Sequence, residues 1–179
     1  NKVVMVSGAG GSIGSELCRQ VIKSKPRTLL LLDISEFAIY TISEELKDYQ
    51  EASKTSIEII EIIGSVQDHK CIQSIFDSYK VNTIYHAAAY KHVPLIENNI
   101  IEGLKNNILG TRNLTTKAVE NLVESFIFIS TDKAVRPTNI MGASKRIAEL
   151  ICQDFAKHQN KTVFSIVRFG NVLGSSGSI

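Results

Sequence analysis

Short apolar runs alternate along the chain with longer segments in which apolar residues recur every three or four positions. Most of the short runs are continuous, which is typical of strands buried on both faces of a parallel sheet, and the spaced segments predict amphipathic helices. Six strands are predicted, over residues 3–6, 28–33, 57–63, 83–86, 125–130 and 162–168.

Helical spacing follows each of the first five strands, with single helices expected over residues 104–122 and 143–155. This alternation of strands and helices predicts an α/β protein with one parallel sheet covered on both faces. With right-handed crossovers the expected strand order is 3-2-1-4-5-6, the doubly wound Rossmann arrangement. We expect residues 1–179 to form a single domain that ends in a glycine- and serine-rich loop over residues 170–179.

The composition fits one globular domain and excludes several kinds of partner. Twenty Lys and Arg against 18 Asp and Glu leave a net charge of +2. This charge is too close to neutral to indicate a nucleic-acid-binding surface. No apolar run approaches the roughly 20 residues that a membrane span needs. The cysteines Cys18, Cys71 and Cys152 lie far apart without metal-binding spacing, so we expect no metal site and reduced, buried thiols in a soluble intracellular protein.

The first strand runs into a glycine-rich turn that predicts a dinucleotide site. Gly8, Gly11 and Gly14 give the spacing GxxGxxG, and Ser12 and Ile13 stand between the last two glycines. The first glycine permits a tight turn, the second lets a pyrophosphate approach the backbone, and the third lets the helix pack on the strand. The helix that follows offers free N–H groups to the phosphates.

Asp33, at the end of the second strand and 19 residues after Gly14, is placed to accept hydrogen bonds from the adenosine ribose. Because Ile-Ser-Glu and no Lys or Arg follows it, a 2′-phosphate would meet like charge, so the sequence favours NAD over NADP. Small or apolar residues end the next two strands. Ser65 and Val66 are expected to cover the adenine edge, and Ala87 and Ala88 to leave room for the dinucleotide.

Together these features resemble the extended short-chain dehydrogenase/reductases. The resemblance rests on residues 7–14, Asp33, the His-Ala-Ala-Ala segment at 86–89, Asn107 and Lys145, and it covers nearly the whole chain. Such enzymes use Tyr-x-x-x-Lys, in which the tyrosine moves a proton.

The tyrosine position of that motif is occupied by Met141, and none of the five tyrosines has a lysine four residues later. A thioether cannot carry a proton at neutral pH. The usual proton relay is therefore missing, and a replacement is expected nearby.

Residues 130–145, Tyr-Lys-His-Val-Pro at 90–94 and the ending 168–178 resemble the UDP-N-acetylglucosamine 4,6-dehydratases of bacterial polysaccharide biosynthesis. Met141 resembles the long, membrane-anchored members of that group. The resemblance implies that NAD⁺ takes a hydride from C4 of the sugar, that water leaves across C5 and C6, and that the hydride returns to C6.

By the same resemblance, Asp132 is the acid at C6, Lys133 is the base at C5, and Thr131 relays the C4 proton, while Lys145 binds the nicotinamide ribose. These roles require a raised pKa at Asp132 and a lowered one at Lys133.

Other residues are expected around this site. Lys91 and His92 either line the sugar pocket or face solvent, and Asn171 is expected to contact substrate. Asn107 is expected to brace a backbone kink.

Two other functions remain open from the sequence. A related dehydratase/5-epimerase of capsule synthesis can share the Thr-Asp-Lys and Met-x-x-x-Lys features, and Met141 also fits a catalytically silent NAD-binding sensor. The expected partners are a UDP-sugar and, by resemblance, a second copy of the chain paired through the two long helices. We expect a cytoplasmic location, a parent protein anchored at the inner membrane, and a missing carboxyl-terminal substrate-binding region.

Overall fold

A computed structural model describes residues 2–172 and contains a six-stranded parallel sheet in the order β3-β2-β1-β4-β5-β6. The strands are β1 (Val3–Ser7), β2 (Thr28–Asp33), β3 (Glu58–Ile63), β4 (Thr83–His86), β5 (Ser125–Thr131) and β6 (Val163–Phe169). Both the predicted strand order and the doubly wound Rossmann fold are confirmed. The strand order reverses between β1 and β4, the point at which such folds bind their ligands.

Helices cover the sheet on both faces, but the chain contains more of them than the hydrophobic pattern predicts. They are α1 (Ser12–Lys23), α2 (Glu36–Ser53), α3 (His69–Ser78), α4 (Val93–Asn98), α5 (Ile100–Leu104), α6 (Gly110–Glu120) and α7 (Ile140–His158). The expected single helix over residues 104–122 is wrong, because a π-helical segment (Lys105–Leu109) joins α5 to α6. The short helix α4 was not predicted.

Continuous apolar runs place side chains on both faces of the central strands, where they form two cores. Met5, Leu30, Ile84 and Phe126 lie in one core, and Val4, Val6, Leu29 and Leu31 lie in the other. The edge strands β3 and β6 expose part of their apolar residues, including Ile63 and Val163. Cys18 and Cys152 are buried as expected, whereas Cys71 is only partly buried.

Side-chain caps fix where the helices around the site begin. Ser35 accepts a hydrogen bond from the Ala38 N–H at the start of α2, and Asn139 accepts one from the Gly142 N–H at the start of α7. Such caps satisfy donors that the first helical turn leaves free.

Between residues 2 and 172, no helix combines the length and the hydrophobicity of a membrane span. Of the predicted terminal loop, residues 173–179 lie outside the described residues.

Candidate active site

Three adjoining cavities follow the carboxyl edge of the sheet, and all three are lined by Ala87, Ala89 and Tyr90. The glycine-loop cavity, of about 350 Å³, is lined by Gly8, Gly11, Asp33, Val66 and Ala88 among others. The strand-five cavity, of about 360 Å³, is lined by Thr131, Lys133, Met141, Lys145 and Asn171 among others. The helix-four cavity, of about 460 Å³, lies between Gly11–Gly14 and Leu95–Ile96. Because they share these lining residues, we refer to the three cavities together as the groove.

The glycine loop has the geometry that its spacing predicts. Gly8 has a φ of +73°, and a Cβ there would lie 2.6 Å from the Ala88 nitrogen. A Cβ on Gly14 would lie 1.8 Å from the Gly8 carbonyl oxygen, so a side chain at either position would displace backbone. At Gly11 the same test meets only that oxygen, at 3.3 Å, and the position lines two cavities. Gly11 therefore leaves space for a ligand at the start of α1.

Asp33 holds the glycine loop as well as lining its cavity. One carboxylate oxygen accepts a hydrogen bond from the Gly10 N–H at 2.9 Å, and the other accepts one from the Ser35 N–H at 3.0 Å. Gly10 was not predicted as a site residue. A Cβ there would lie 2.3 Å from the Cβ of Ala38, so this glycine lets α2 approach the loop.

Three of the four residues predicted to bind the cofactor at the ends of β3 and β4 lie at the groove. Val66, Ala87 and Ala88 line the glycine-loop cavity. Ser65 is not among the residues that line the three cavities, because its hydroxyl turns back to accept the N–H of Gln67 at 3.1 Å. The assignment of Ser65 as a cofactor-binding side chain is therefore not supported by its position.

A 3₁₀ turn (Asp132–Ala134) follows β5 and carries two of the predicted catalytic residues. The Thr131 hydroxyl accepts the N–H of Lys133 at 3.3 Å and donates to the Asp132 carboxylate at 3.0 Å. The Lys133 ammonium lies 3.4 Å from the same carboxylate oxygen and 3.0 Å from the Asn171 amide oxygen. Thr131 thus joins the strand end to both charged side chains.

The electrostatics of Asp132 differ from the expectation. Its side chain is 59% exposed and is not among the cavity-lining residues. The Thr131 hydroxyl, followed by Lys133, holds the pKa of the Asp132 carboxyl below its ordinary value. The raised pKa expected of an acid at C6 is not seen at this carboxyl, and the role of Asp132 stays a prediction.

Lys145 is buried on α7 beneath the strand-five cavity. Its Nζ donates to the Ile129 carbonyl oxygen at 2.6 Å and lies 4.1 Å from the centroid of the Phe128 ring. Burial lowers the pKa of this lysine to about 7. One turn earlier, Met141 lines the same cavity and is only 4% exposed, so an apolar side chain occupies the usual tyrosine position.

Asn107, which was expected to brace a backbone kink, lies in the π-helical segment. Its amide oxygen accepts the Tyr90 N–H at 2.9 Å, and its amide nitrogen donates to the Tyr90 carbonyl and to the Ser144 hydroxyl, both at 3.0 Å. The side chain therefore connects the groove-lining Tyr90 to the helix that carries Lys145.

His86 is a buried structural link behind the glycine loop. Its two ring nitrogens lie 2.7 Å from the Ser7 hydroxyl and 3.0 Å from the Thr111 hydroxyl. Because Thr111 donates its own proton to the Asn107 carbonyl, the Nε2 of His86 must donate to Thr111 and its Nδ1 must accept from Ser7. Burial, assisted by the charge of Lys145, lowers the pKa of His86 to about 3, so the ring is neutral.

The candidate substrate-binding residues Lys91, His92 and Asn171 all line the strand-five cavity. Lys91 and His92 are exposed and line both the strand-five and the helix-four cavities, so they border the groove and also meet solvent. Asn171 lines the strand-five cavity through the loop after β6. Glu97, which was not predicted, accepts the N–H of Ile140 at 2.7 Å and ties α4 to the start of α7.

Among residues 2–172, no cluster of three or more His, Cys, Asp or Glu could hold a metal ion.

Known proteins match this chain along its length. A family model described as "Polysaccharide biosynthesis protein" matches residues 4–179. The capsular polysaccharide biosynthesis protein CapD of Staphylococcus aureus is 50% identical over 182 residues, covering 100% of this chain and 29% of CapD. The chain therefore spans less than a third of that relative.

Solved structures share the fold. Pen from Bacillus thuringiensis superposes with a TM-score of 0.89 at 32% identity, over 99% of this chain and 52% of Pen. DesIV of Streptomyces venezuelae, a dTDP-glucose 4,6-dehydratase solved with NAD bound, gives a TM-score of 0.77 at 21% identity, over 93% of this chain and 55% of DesIV. The likeness to DesIV shows the fold alone. With the family model covering almost every residue, the chain belongs to the polysaccharide biosynthesis protein family, within the extended short-chain dehydrogenase/reductases.

Proposed function

We propose that this chain is the cofactor-binding and catalytic portion of a nucleotide-sugar 4,6-dehydratase that acts on UDP-N-acetylglucosamine. The observation that carries the proposal is the meeting of Thr131, Lys133 and Lys145 in one cavity at the carboxyl end of β5. Asp132 is bonded to the first two of these residues. A silent sensor would have no need for a hydroxyl and two amines in one cavity, with a carboxylate bonded to two of these groups.

The residues of the groove fit NAD as the cofactor. Gly11 leaves open space at the N-terminus of α1, where N–H groups favour a pyrophosphate, and Asp33 faces the glycine-loop cavity where an adenosine ribose would lie. DesIV, which shares the fold, was solved with NAD bound. When bound, NAD⁺ would accept a hydride from C4 of the sugar and later return it to C6. Lys145 would bind the nicotinamide ribose.

The low pKa of Asp132 favours a proton relay in place of a carboxyl that arrives already protonated. The Thr131 hydroxyl lies between the cavity and the Asp132 carboxylate, to which it donates. As the C4 hydroxyl of the sugar is oxidised, its proton passes to the Thr131 oxygen while Thr131 releases its own proton to Asp132. The proton then passes from Asp132 back through the Thr131 hydroxyl to the C6 hydroxyl, which leaves as water.

Lys133 completes the proton balance. In its neutral form, the amine of Lys133 would remove the C5 proton during elimination and return that proton to C5 when the hydride reaches C6. The net change is loss of one water, and Thr131, Asp132 and Lys133 end in the states in which they began. A general base of this kind contributes a rate factor of about 100 or more.

Product analysis tests the proposed function. The full-length protein is incubated with UDP-N-acetylglucosamine and NAD, and the product is identified by proton NMR. A 4-keto-6-deoxy sugar with retained configuration at C5 is expected. An inverted C5 would instead show the dehydratase/5-epimerase, and absence of turnover with intact NAD binding would favour the silent sensor.

Lys133→Ala tests the role of the base. It should lower dehydration at least about 100-fold while NAD affinity is retained. The matched control is Lys157→Ala, which removes an exposed lysine from the far end of α7. Elimination at the wild-type rate in Lys133→Ala would contradict the assignment of the base.

A further inference from the structure

A buried carboxylate lies directly behind the predicted catalytic residues and has no role in the chemistry proposed above. Glu149 stands one helical turn after Lys145 on α7, and its side chain is 0% exposed. One carboxylate oxygen accepts the Ser130 hydroxyl at 2.7 Å and the Arg168 Nε at 2.8 Å. The other accepts the Arg168 Nη2 at 2.8 Å and the Arg146 Nη1 at 2.9 Å. The Glu149 carboxylate thus accepts four hydrogen bonds, three from arginine side chains and one from a hydroxyl.

Two of these partners belong to neighbouring strands at matching positions. Ser130 on β5 is paired with Arg168 on β6, and the next pair along the sheet is Thr131 with Phe169. Glu149 therefore bonds to both strands from α7 at the last pair but one of the two strands, where Ser130 lines the strand-five cavity. The guanidinium of Arg168 binds the Glu149 carboxylate in a bidentate arrangement, which fixes the orientation of the two groups as well as their distance.

Contacts between the catalytic turn and the loop after β6 depend on how these two strand ends are set. Lys133 donates to the Asn171 amide oxygen at 3.0 Å, and a Cβ on Gly170 would lie 3.7 Å from an Asp132 oxygen. β6 is the outer strand of the described sheet and exposes much of its length. Within the described residues, a hold on its carboxyl end has to come from β5 and α7.

Stability alone is a weak explanation for this cluster. A buried ion pair pays a large desolvation cost, and apolar side chains of similar size often stabilise a fold as well or better. What the carboxylate adds is fixed geometry, since its two oxygens set the positions of a β5 hydroxyl and a β6 guanidinium at the same time. A reaction that needs Lys133 at a defined place would depend on that geometry.

We propose that Glu149 is a positioning residue for the dehydration, which holds the carboxyl ends of β5 and β6 so that Lys133 and Asn171 meet at the cavity. The inference rests on the proposed function. It assigns no contact between Glu149 and substrate or cofactor.

Glu149→Gln in the full-length protein tests this role, because the amide keeps the size of the carboxylate but turns an N–H group toward the arginines. Turnover per NAD-binding site should fall at least about tenfold, with KM for the nucleotide sugar changed less than about threefold, since misplacing a catalytic group mainly lowers kcat. The matched control is Arg146→Ala, which removes a partner of the same carboxylate that lies on α7 itself; its kcat should stay within about twofold of wild type.

A second readout does not require turnover. Competitive acetylation followed by mass spectrometry compares the reactivity of Lys133 with that of exposed Lys157 in the same sample. Lys133 should react at least about threefold faster in Glu149→Gln, because loss of one hydrogen bond frees its amine. Asn171→Ala should reproduce that increase, and Arg146→Ala should not. If wild-type protein forms no dehydrated sugar, the proposed function fails while this labelling still decides the positioning role.

Arg168→Lys provides a variant that keeps the charge and breaks only the bidentate bond. It should fold, and it should lower kcat and raise Lys133 reactivity in the same direction as Glu149→Gln. The positioning role is overturned if Lys133 reactivity is unchanged in Glu149→Gln and Arg168→Lys, or if Arg146→Ala changes it as much. Lower thermal stability with unchanged kcat per NAD-binding site would also reject it, in favour of a purely structural role.

Discussion

The ammonium nitrogen of Lys145 lies 2.6 Å from the carbonyl oxygen of Ile129, and the side chain is buried beneath the strand-five cavity. Ile129 stands two residues before Thr131 on β5, so a backbone carbonyl of the catalytic strand holds the lysine against the sheet. The burial that gives Lys145 this position also penalises its charge and lowers its pKa to about 7. A residue expected to bind a ribose is therefore a source of instability in the fold.

Lys145→Met should stabilise the protein without cofactor at slightly acid pH. The pKa of Lys145 is lower in the folded than in the unfolded chain. The free-energy cost of burying the charged lysine is therefore fully present below about pH 7 and is relieved as pH rises toward 10.4. We expect the variant to gain about 1–2 kcal/mol in free energy of unfolding at pH 6.5. Wild-type stability should rise relative to the variant between pH 6.5 and 8.5.

Urea unfolding of both proteins at several pH values measures this difference. The range ends at pH 8.5 because burial raises the pKa of Cys18 and Cys152 to about 12, and ionisation of these thiols in the unfolded chain opposes folding above that pH. If the free energies of unfolding of wild type and Lys145→Met changed with pH in parallel, burial of the lysine would carry no cost in stability.

Gly8→Ala and Gly11→Ala should separate folding from cofactor binding. Alanine at position 8 must adopt a φ near +73° and place its Cβ 2.6 Å from the Ala88 nitrogen, so we expect a loss of more than about 2 kcal/mol in stability. At position 11 the added methyl meets one oxygen at 3.3 Å and otherwise projects into the groove. That variant should retain most of its stability and lose NAD affinity.

Thermal unfolding and titration with NAD distinguish the two glycine variants. Equal stability losses would mean that Gly11, like Gly8, serves the turn alone. Unchanged NAD affinity in a folded Gly11→Ala protein would place the pyrophosphate elsewhere.

The proposed preference for NAD over NADP would depend on the charge of Asp33. Asp33→Asn keeps the size of the side chain but weakens its hydrogen bonds to the Gly10 and Ser35 N–H groups and removes the charge that opposes a 2′-phosphate. NAD affinity should fall about tenfold while NADP affinity falls less or rises. Calorimetric titration with both cofactors measures the ratio, with exposed Glu36→Gln as the control. An unchanged ratio would show that another residue selects the cofactor.

Most of the fold follows from the order of apolar runs, because β1 and β2 are buried on both faces and their sequences are accordingly continuous. The π-helical segment could not be predicted in the same way. It depends on Asn107 bonding the backbone of Tyr90, a contact between residues 17 positions apart that no local pattern encodes.

The candidate site was predictable where residues act through backbone or position, as at Gly8 and Lys145, and less so where a side chain can turn. Ser65 turns toward its own loop, and Asp132 turns toward Thr131 and solvent. The sequence does contain a signal that could have identified Glu149. A glutamate four residues after Lys145 falls on the same apolar helix face, and a charge on such a face predicts a buried partner.

Thr131→Val tests the proposed relay to Asp132. The Thr131 hydroxyl is the main cause of the low pKa of the Asp132 carboxyl, so its removal should raise that pKa toward the ordinary value. Turnover should fall about 100-fold because the C4 proton loses its path. Thr131→Ser keeps the hydroxyl and serves as the control. Carbon-13 NMR titration of Asp132 reports the pKa, and an unshifted value in Thr131→Val would contradict the hydrogen bond on which the relay depends.

Acid should weaken the fold through Glu149. Burial raises the pKa of this carboxyl, but the hydrogen bonds from Arg168, Ser130 and Arg146 outweigh that effect and lower the pKa to about 2. Because the folded-state pKa lies below the unfolded one, the stabilisation is complete above about pH 4.5 and is lost as pH falls toward 2. The free energies of unfolding of wild type and Glu149→Gln should therefore converge by up to about 3 kcal/mol between pH 6 and pH 2.5. Urea unfolding across that range measures the convergence, with exposed Glu51→Gln setting the baseline for loss of one carboxylate. A wild-type advantage that persists unchanged at pH 2.5 would show that packing around the side chain, and not its ionised hydrogen bonds, holds β5 and β6 to α7.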